Sequence, residues 1–286
     1  MMTLPATIMD GRKIAEEIGL VIRSQIDRLK TAGIEPAIAL VRIGEGEASE
    51  SYFRAKIRKA KQLGITATPV ELPSTTTADK AASVVRELSS DSRIHGVIVE
   101  NEVPENIAYE DLVNSIPYWK DVDGASYENL GRLMSGKPCL VAATPLSVME
   151  FVRRCGIQQG SMVAIINRTI TVGKPLAMLL LAENYTPVVM HSRTARIREI
   201  SRQSSAVVVA TGHPRFLNAD FVTEDSVVID VGINSVDGKI VGDVDFEPVS
   251  AMVRCVTPVP GGVGAVTSTI IFSNLIKGIG MSGIPG

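Results

Sequence analysis

Strand-like and helix-like segments alternate along this chain, and no other feature narrows its fold so much. Residues 10–32 carry apolar side chains at helical spacing behind Asp10, a plausible helix cap. Residues 37–43 (Ala-Ile-Ala-Leu-Val-Arg-Ile) read as a buried strand, 50–63 as a helix stopped by Gly64, 66–72 as a strand, 78–89 as a helix and 94–100 as a strand. Residues 137–145 read as a crossover, after which the rhythm resumes: helix 146–155, strand 162–166, helix 174–183, strand 187–191, a short helix, and strands 206–210 and 226–231. Strand, helix, strand is the βαβ unit, whose strands lie parallel, so the chain is expected to be α/β with a largely parallel sheet. The second series has the rhythm of a dinucleotide-binding unit. The tail from Val256 holds a Pro-Gly loop and then an apolar helix, about 266–277.

Composition excludes several classes. The 286 residues suffice for two domains of roughly 100–200 residues each. The net charge of −2 gives no basic field for nucleic acid, and the basic run over 54–61 reads as a solvated helix face. Cys139, Cys155 and Cys255 stand far apart with no CxxC, which argues against a disulfide framework or structural zinc and fits a reducing compartment. His95, His191 and His213 lack metal-ligand spacing, so no metal is expected. No apolar run approaches the ~18 residues that span a bilayer, and no signal-peptide pattern is apparent. A cytoplasmic protein without nucleic-acid or membrane partners is the expectation.

Five segments carry candidate chemistry. Tyr52 and Lys56 stand four apart in a predicted helix, so a flat ring and a proton donor share one face. Lys120-Asp121-Val122-Asp123-Gly124 offers two carboxylates at spacing two, pointing the same way if extended; the alternative is an Asp-Gly turn. The turn after strand 162–166 runs Asn167-Arg168-Thr169-Ile170-Thr171-Val172-Gly173-Lys174-Pro175 and leads into a helix N-terminus suited to pyrophosphate. It lacks GxGxxG, but Asn167 tolerates positive φ and so can keep the turn; an ordinary strand-helix connection is the alternative. Strand 187–191 ends in His191-Ser192-Arg193 with no acid, which favours a ribose 2′-phosphate over a free 2′-hydroxyl unless the cluster is mere surface. Thr257-Pro258-Val259-Pro260-Gly261-Gly262-Val263-Gly264 is either a loop that lets backbone approach a ligand or a plain helix-preceding loop.

Together these segments resemble the bifunctional methylenetetrahydrofolate dehydrogenase/methenyltetrahydrofolate cyclohydrolases. The resemblance covers nearly the whole chain in order: Tyr52, Lys56 and Ala60; Lys120 to Gly124 with Asn129, Gly131, Arg132 and Leu133; Thr144-Pro145; Val172-Gly173-x-Pro175; His191-Ser192-x-Thr194; Ile229-Asp-Val-Gly-Ile-Asn234; Val241-Gly-Asp-Val-Asp-Phe246; and Thr257 to Gly264. Short-chain dehydrogenases share Tyr-x-x-x-Lys, but their glycine fingerprint precedes it, whereas the nucleotide-type turn here follows. The resemblance implies a folate-binding catalytic domain over 1–143, with helix 266–286 packing back on it, and a Rossmann-like NADP-binding domain over 144–265. It implies a cleft between them, a homodimer, and NADP rather than NAD as cofactor. Tyr52 would stack on folate, Lys56 would handle protons and Asp123 would anchor the pterin. Val99, Glu100, Asn101, Pro260, Gly261 and Gly262 would complete the substrate site. Asn167, Arg168, Thr169, Val172, Gly173, Ser192 and Ile233 would hold the nucleotide, with Arg168 and Ser192 at the 2′-phosphate.

This chain also departs from the family pattern. Gln-Leu-Pro-Leu-Pro is replaced by Glu100-Asn101-Glu102-Val103-Pro104. The family glutamine contacts the catalytic lysine; a carboxylate there favours charged Lys56 and makes it a poorer base. Ala142-Ala143 replaces Pro-Cys, Ser147 and Asn167 replace glycines, and Ala265 replaces a proline. Such changes fit a diverged member in which hydride transfer, a matter of positioning, survives better than ring opening, a matter of proton transfer. Two alternatives remain: the same fold acting on another cyclic aminal or pterin, and a non-catalytic folate- or nucleotide-binding paralogue.

Overall fold

A computed structural model describes residues 6–283. In chain order the elements are β1 (Thr7–Ile8), α1 (Gly11–Thr31), β2 (Ala37–Ile43), α2 (Glu47–Leu63), β3 (Thr66–Leu72), α3 (Ala78–Ser90), β4 (Gly96–Val99), α4 (Tyr109–Asn114), α5 (Tyr127–Met134) and α6 (Ala143–Arg154). There follow β5 (Met162–Ile166), α7 (Gly173–Ala182), β6 (Thr186–Met190), α8 (Ile197–Gln203), β7 (Ala206–Val209), β8 (Val227–Asp230), β9 (Asn234–Val236), β10 (Lys239–Val241), α9 (Phe246–Ser250), β11 (Cys255–Val256) and α10 (Val263–Met281). Two compact units result. The first takes Glu17–Ala142 and the chain from Ser268 onward; the second takes the chain up to Glu16 and Ala143–Thr267. The stretch before Glu17 thus differs from the expected division, because β1 pairs in parallel with β11 (Thr7↔Cys255).

The first unit is built on a three-stranded parallel sheet, β3-β2-β4. All seven residues of β2 are buried, as its unbroken apolar run requires of a central parallel strand. Ala39, Val41, Val97 and Val99 pack with Ala81 and Val85 of α3 and Leu112 of α4. Gly64 ends α2 in the left-handed region, φ 85°. Beyond β4, residues 120–124 come alongside it: Val97 N–H donates to Lys120 O (2.7 Å) and Val122 N–H to Val97 O (3.3 Å). This run is not extended throughout. Gly124 N–H donates to Asp121 O (2.9 Å) and closes a turn. Gly124 has φ +61°, and a Cβ there would lie 2.6 Å from the Val141 carbonyl carbon, so no other residue fits. Asn274 of α10 locks the turn by donating to Val122 O (2.8 Å) and Val141 O (2.7 Å).

Helix α10 is longer than the 266–277 expected. Its 19 residues are long and apolar enough to cross a bilayer by length and composition alone, which corrects the expectation that no run comes near that length. Its glycines hid the continuity. Ile271, Phe272, Leu275 and Ile279 are buried, as in the core helix of a globular protein.

The second unit carries six parallel strands in the order β1-β11-β8-β7-β5-β6. The chain steps from β5 outward to β6, then returns to β7 on the other side. That reversal is a topological switch point, where open α/β sheets bind ligands beyond the carboxyl ends of their strands. Helix α6 starts at Ala143, inside the expected crossover, with Pro145 in its first turn. Strands β9 and β10 form an antiparallel hairpin that no period-2 pattern announced. Cys155 and Cys255, 100 residues apart, bring their Sγ atoms to 3.3 Å. Spacing along the chain therefore misjudged these two cysteines as separate.

Candidate active site

Three predicted residues converge in the first unit. Lys56, on α2, donates from Nζ to both carboxylate oxygens of Glu100, at 2.8 and 2.9 Å. Glu100 follows directly on β4, and its backbone N–H continues the ladder to Val41 O (2.8 Å), so the sheet fixes where its side chain begins. The Lys56 side chain is 23% exposed and that of Glu100 8%. Asp123, from the turn beside β4, is half-buried and acts on the same lysine through its charge. Burial alone would lower the Lys56 pKa; the charges of Asp123 and Glu100 and the Glu100 hydrogen bond outweigh it and raise the value. The Asp123 carboxyl is pushed up to about 6, chiefly by burial, with Asp121 and Glu100 adding to the rise and Lys56 opposing it. The result is an ammonium held in its charged form, beside an acid that titrates near neutrality.

Tyr52 lies one turn before Lys56 and is 58% exposed, a ring face open to solvent. Asn101 is exposed. Val99 is buried in the core, so only its main chain is free to meet a ligand. The two carboxylates expected to point together have separate roles. Asp121 is buried and accepts from Ser126 N–H (2.8 Å) and Asn129 Nδ2 (3.0 Å), holding the turn from below. Tyr109, at the start of α4, was not anticipated. Burial, then the charges of Asp123, Asp121 and Glu100, raise its pKa and keep the phenol protonated in the neighbourhood of these acids.

In the second unit, Asn167 holds its turn by a route the sequence did not reveal. It is absent from the residues with positive φ, contrary to expectation. Its side chain does the work instead: Oδ1 accepts from Thr169 N–H (2.8 Å), Thr169 Oγ1 (2.8 Å) and Gly173 N–H (2.9 Å), while Nδ2 donates to Ala210 O (2.7 Å). An Asx-type side chain thus does what glycine does by backbone freedom. Gly173 is required for another reason: a Cβ there would lie 2.1 Å from Asn167 O. Val172 N–H donates to Thr169 Oγ1 (3.2 Å), which tightens the turn further.

Register places the other nucleotide candidates. Ile166 pairs with Met190 and with Val209, and Val209 with Asp230, so residues 167, 191, 210 and 231 leave the sheet at one level. Arg168 and Ser192 therefore rise from adjacent strands, both exposed. His191 N–H donates to Thr194 Oγ1 (2.9 Å), closing the turn that presents Ser192. Ile233 is 57% exposed beyond β8. The loop of Pro260, Gly261 and Gly262, expected at the substrate rather than the nucleotide, belongs to this second unit and starts at the same level, since Asp230 N–H donates to Thr257 Oγ1 (2.8 Å), and Gly261 O accepts from Gly11 N–H (2.8 Å).

Two buried acids that the sequence did not single out brace this edge. Asp243 accepts from Thr211 N–H and Oγ1 and from Gly212 N–H, and through its other oxygen from Asn234 Nδ2 (2.9 Å). Asp230 accepts from the N–H groups of Gly232 (2.9 Å), Asp243 (3.0 Å) and Val244 (2.9 Å), and burial still pushes its carboxyl up to about 6. Their signal was two Asp-rich strand-end motifs, but most of their partners lie 13 or more residues away and leave no local pattern.

Known proteins are similar to this chain throughout. Residues 9–123 match the family model "Tetrahydrofolate dehydrogenase/cyclohydrolase, catalytic domain", and residues 142–282 match the corresponding "NAD(P)-binding domain". A bifunctional protein FolD from Thermoplasma volcanium is 42% identical over 270 residues, covering 94% of each chain. The crystal structure of the bifunctional FolD methylenetetrahydrofolate dehydrogenase/cyclohydrolase from Campylobacter jejuni superposes with a TM-score of 0.93 at 34% identity, covering 97% of this chain and 99% of that one. The Trypanosoma brucei enzyme, complexed with NADP cofactor and inhibitor, gives a TM-score of 0.91 at 29% identity, covering 99% and 100%.

Proposed function

Since this chain belongs to the tetrahydrofolate dehydrogenase/cyclohydrolase family, we propose that it oxidises methylene-tetrahydrofolate with NADP and opens the methenyl product to formyl-tetrahydrofolate, the second step being the slower. The observation that carries this ranking is the two-oxygen grip of Glu100 on Lys56 beside Asp123. Oxidation removes a hydride from the methylene carbon and leaves a methenyl cation. NADP, when bound, accepts that hydride. The protein's share of this step is positioning: Tyr52 offers a stacking face, Asp123 accepts from the pterin's amino edge, and Asn101 with the Val99 main chain completes the substrate contacts. Ring opening instead adds water to the cation and breaks one carbon–nitrogen bond; one of that water's protons goes to the departing nitrogen and the other is released. An ammonium whose pKa is raised holds its proton and leaves little neutral amine to take one from water, so the Glu100 grip slows this step.

The preference for NADP over NAD rests on the exposed pair Arg168 and Ser192 and on the lack of an acid where β6 ends. The donor set fits a dinucleotide: a braced turn at a helix N-terminus, with Thr169, Val172 and Gly173 around it. The same reading takes the protein to be a cytoplasmic homodimer, for which sedimentation should give about twice the 30.5 kDa chain mass.

The test separates the two steps. Purified protein with methylene-tetrahydrofolate and NADP should form reduced cofactor, with little activity when NAD is substituted. Supplied methenyl-tetrahydrofolate should disappear more slowly than it is formed. Fast ring opening without hydride transfer would reverse the ranking. Folate binding with neither activity would favour the non-catalytic reading.

A further inference from the structure

Cys155 follows the last residue of α6 and Cys255 opens β11, both within the second unit. Their Sγ atoms are 3.3 Å apart, in van der Waals contact, and both residues are buried. A disulfide needs a separation near 2.05 Å, an approach of roughly 1.3 Å. We propose that Cys155 and Cys255 form a dithiol that a hydroperoxide oxidises to a disulfide, fastening the end of α6 to β11.

The two sulfurs are not equivalent. Cys155 donates its S–H to Cys255, which lowers the Cys255 pKa with help from Arg254 and against burial; the same bond and burial raise that of Cys155. Cys255 is therefore the attacking sulfur. Its thiolate attacks one oxygen of hydrogen peroxide: an S–O bond forms, the O–O bond breaks, and hydroxide leaves to become water with the Cys255 proton. Cys155 then attacks the sulfenic sulfur: the S–S bond forms, the S–O bond breaks, and the second hydroxide leaves with the Cys155 proton as water. Two thiols and one peroxide give one disulfide and two waters. Burial excludes bulky oxidants but admits a small neutral one.

The bond would sit beside functional backbone. Cys255 pairs with Val227 of β8 and Thr7 of β1. Two residues further on, Thr257 accepts from Asp230 at the root of the Pro260–Gly262 loop. Cys139 lies in the other unit and serves as an internal control.

The test treats the native full chain with graded hydrogen peroxide, then alkylates it under denaturing conditions and weighs it intact. The expected product carries one alkyl adduct where the untreated chain carries three and is about 2 Da lighter than a reduced chain bearing one adduct, with a cross-linked peptide joining Cys155 to Cys255 and with Cys139 still alkylated. A dithiol reductant should restore all three. In Cys155→Ala, Cys255 should take up oxygen without cross-linking. Three thiols still alkylated after prolonged exposure, oxygen added to one sulfur of the native chain with no cross-link, or a cross-link through Cys139 would each overturn the proposal.

Discussion

Lys56 has two acids within reach and a direct bond to only one of them, Glu100. Replacing Glu100 with glutamine keeps a hydrogen-bond acceptor for Nζ and removes one of the charges that raise its pKa. Each unit by which that pKa falls gives about ten times more neutral amine at fixed pH below it. Glu100→Gln is therefore expected to raise the cyclohydrolase rate several-fold while leaving hydride transfer within about twofold. A fall in cyclohydrolase rate would show that Glu100 assists Lys56. Asp123 supplies a second expectation at this scale. Its carboxyl, raised to about 6 chiefly by burial, is charged above that pH and protonated below it. An acceptor for the pterin edge is thus lost as pH falls through 6, and KM for the folate should climb there. Asp123→Asn should raise KM at pH 7.5 or so and flatten the profile. A KM that stays level from neutral to acid pH in the native protein would remove Asp123 from the pterin.

The turn from β5 to α7 shows what an element's sequence conveys and what it withholds. The strand was legible to the residue over 162–166, because a short apolar run bounded by polar turns has few other readings. The position of the turn followed from that, and so did the candidacy of 167–173. What did not follow was how Asn167 acts. Tolerance of positive φ is a property of the residue type, whereas its side chain's three bonds to Thr169 and Gly173 depend on the fold of the turn, and its fourth on Ala210, 43 positions away. Similar reasons hid α4 and α5, too short to show a period, and the bracing of Thr211 by Asp243. The site was legible to the same degree. Lys56 and Asp123 could be nominated from motifs, while the bond from Lys56 to Glu100, 44 positions apart, was only inferable from a resemblance. The turn yields its own expectation. Asn167→Ala removes the acceptor shared by Thr169 and Gly173, and Gly173→Ala places a methyl group 2.1 Å from Asn167 O. Both should weaken NADP binding by tenfold or more, about 1.4 kcal/mol, with folate-analogue binding unchanged. Calorimetric titration with each ligand checks this; equal loss of both ligands would mean general unfolding rather than a damaged nucleotide turn.

At the scale of the molecule, the chain passes between its two units near residues 16, 142 and 267, and the candidate site residues divide between them. The lysine, the tyrosine and the acids belong to the first; the braced turn, Arg168, Ser192 and the Pro-Gly loop belong to the second. Selective stabilisation should therefore follow ligand identity. A ligand at a hundred times its dissociation constant stabilises the state it binds by about 2.7 kcal/mol, enough to slow exchange through local opening about a hundredfold. NADP alone should protect amides over 167–173 and 210–213, whose N–H groups line the switch point of the six-stranded sheet. A folate analogue alone should protect 52–56 and 100–101 on the three-stranded one. Peptide-level hydrogen exchange with each ligand in turn distinguishes the two patterns. NADP protection confined to the first unit would transfer the nucleotide site there and leave the bracing of Asn167 as mere fold maintenance. Protection of 210–213 without 167–173 would keep the nucleotide at the switch point but separate it from the helix N-terminus of α7. The double pattern, each ligand guarding its own strand ends, is what the proposed division of folate and nucleotide between the two units requires.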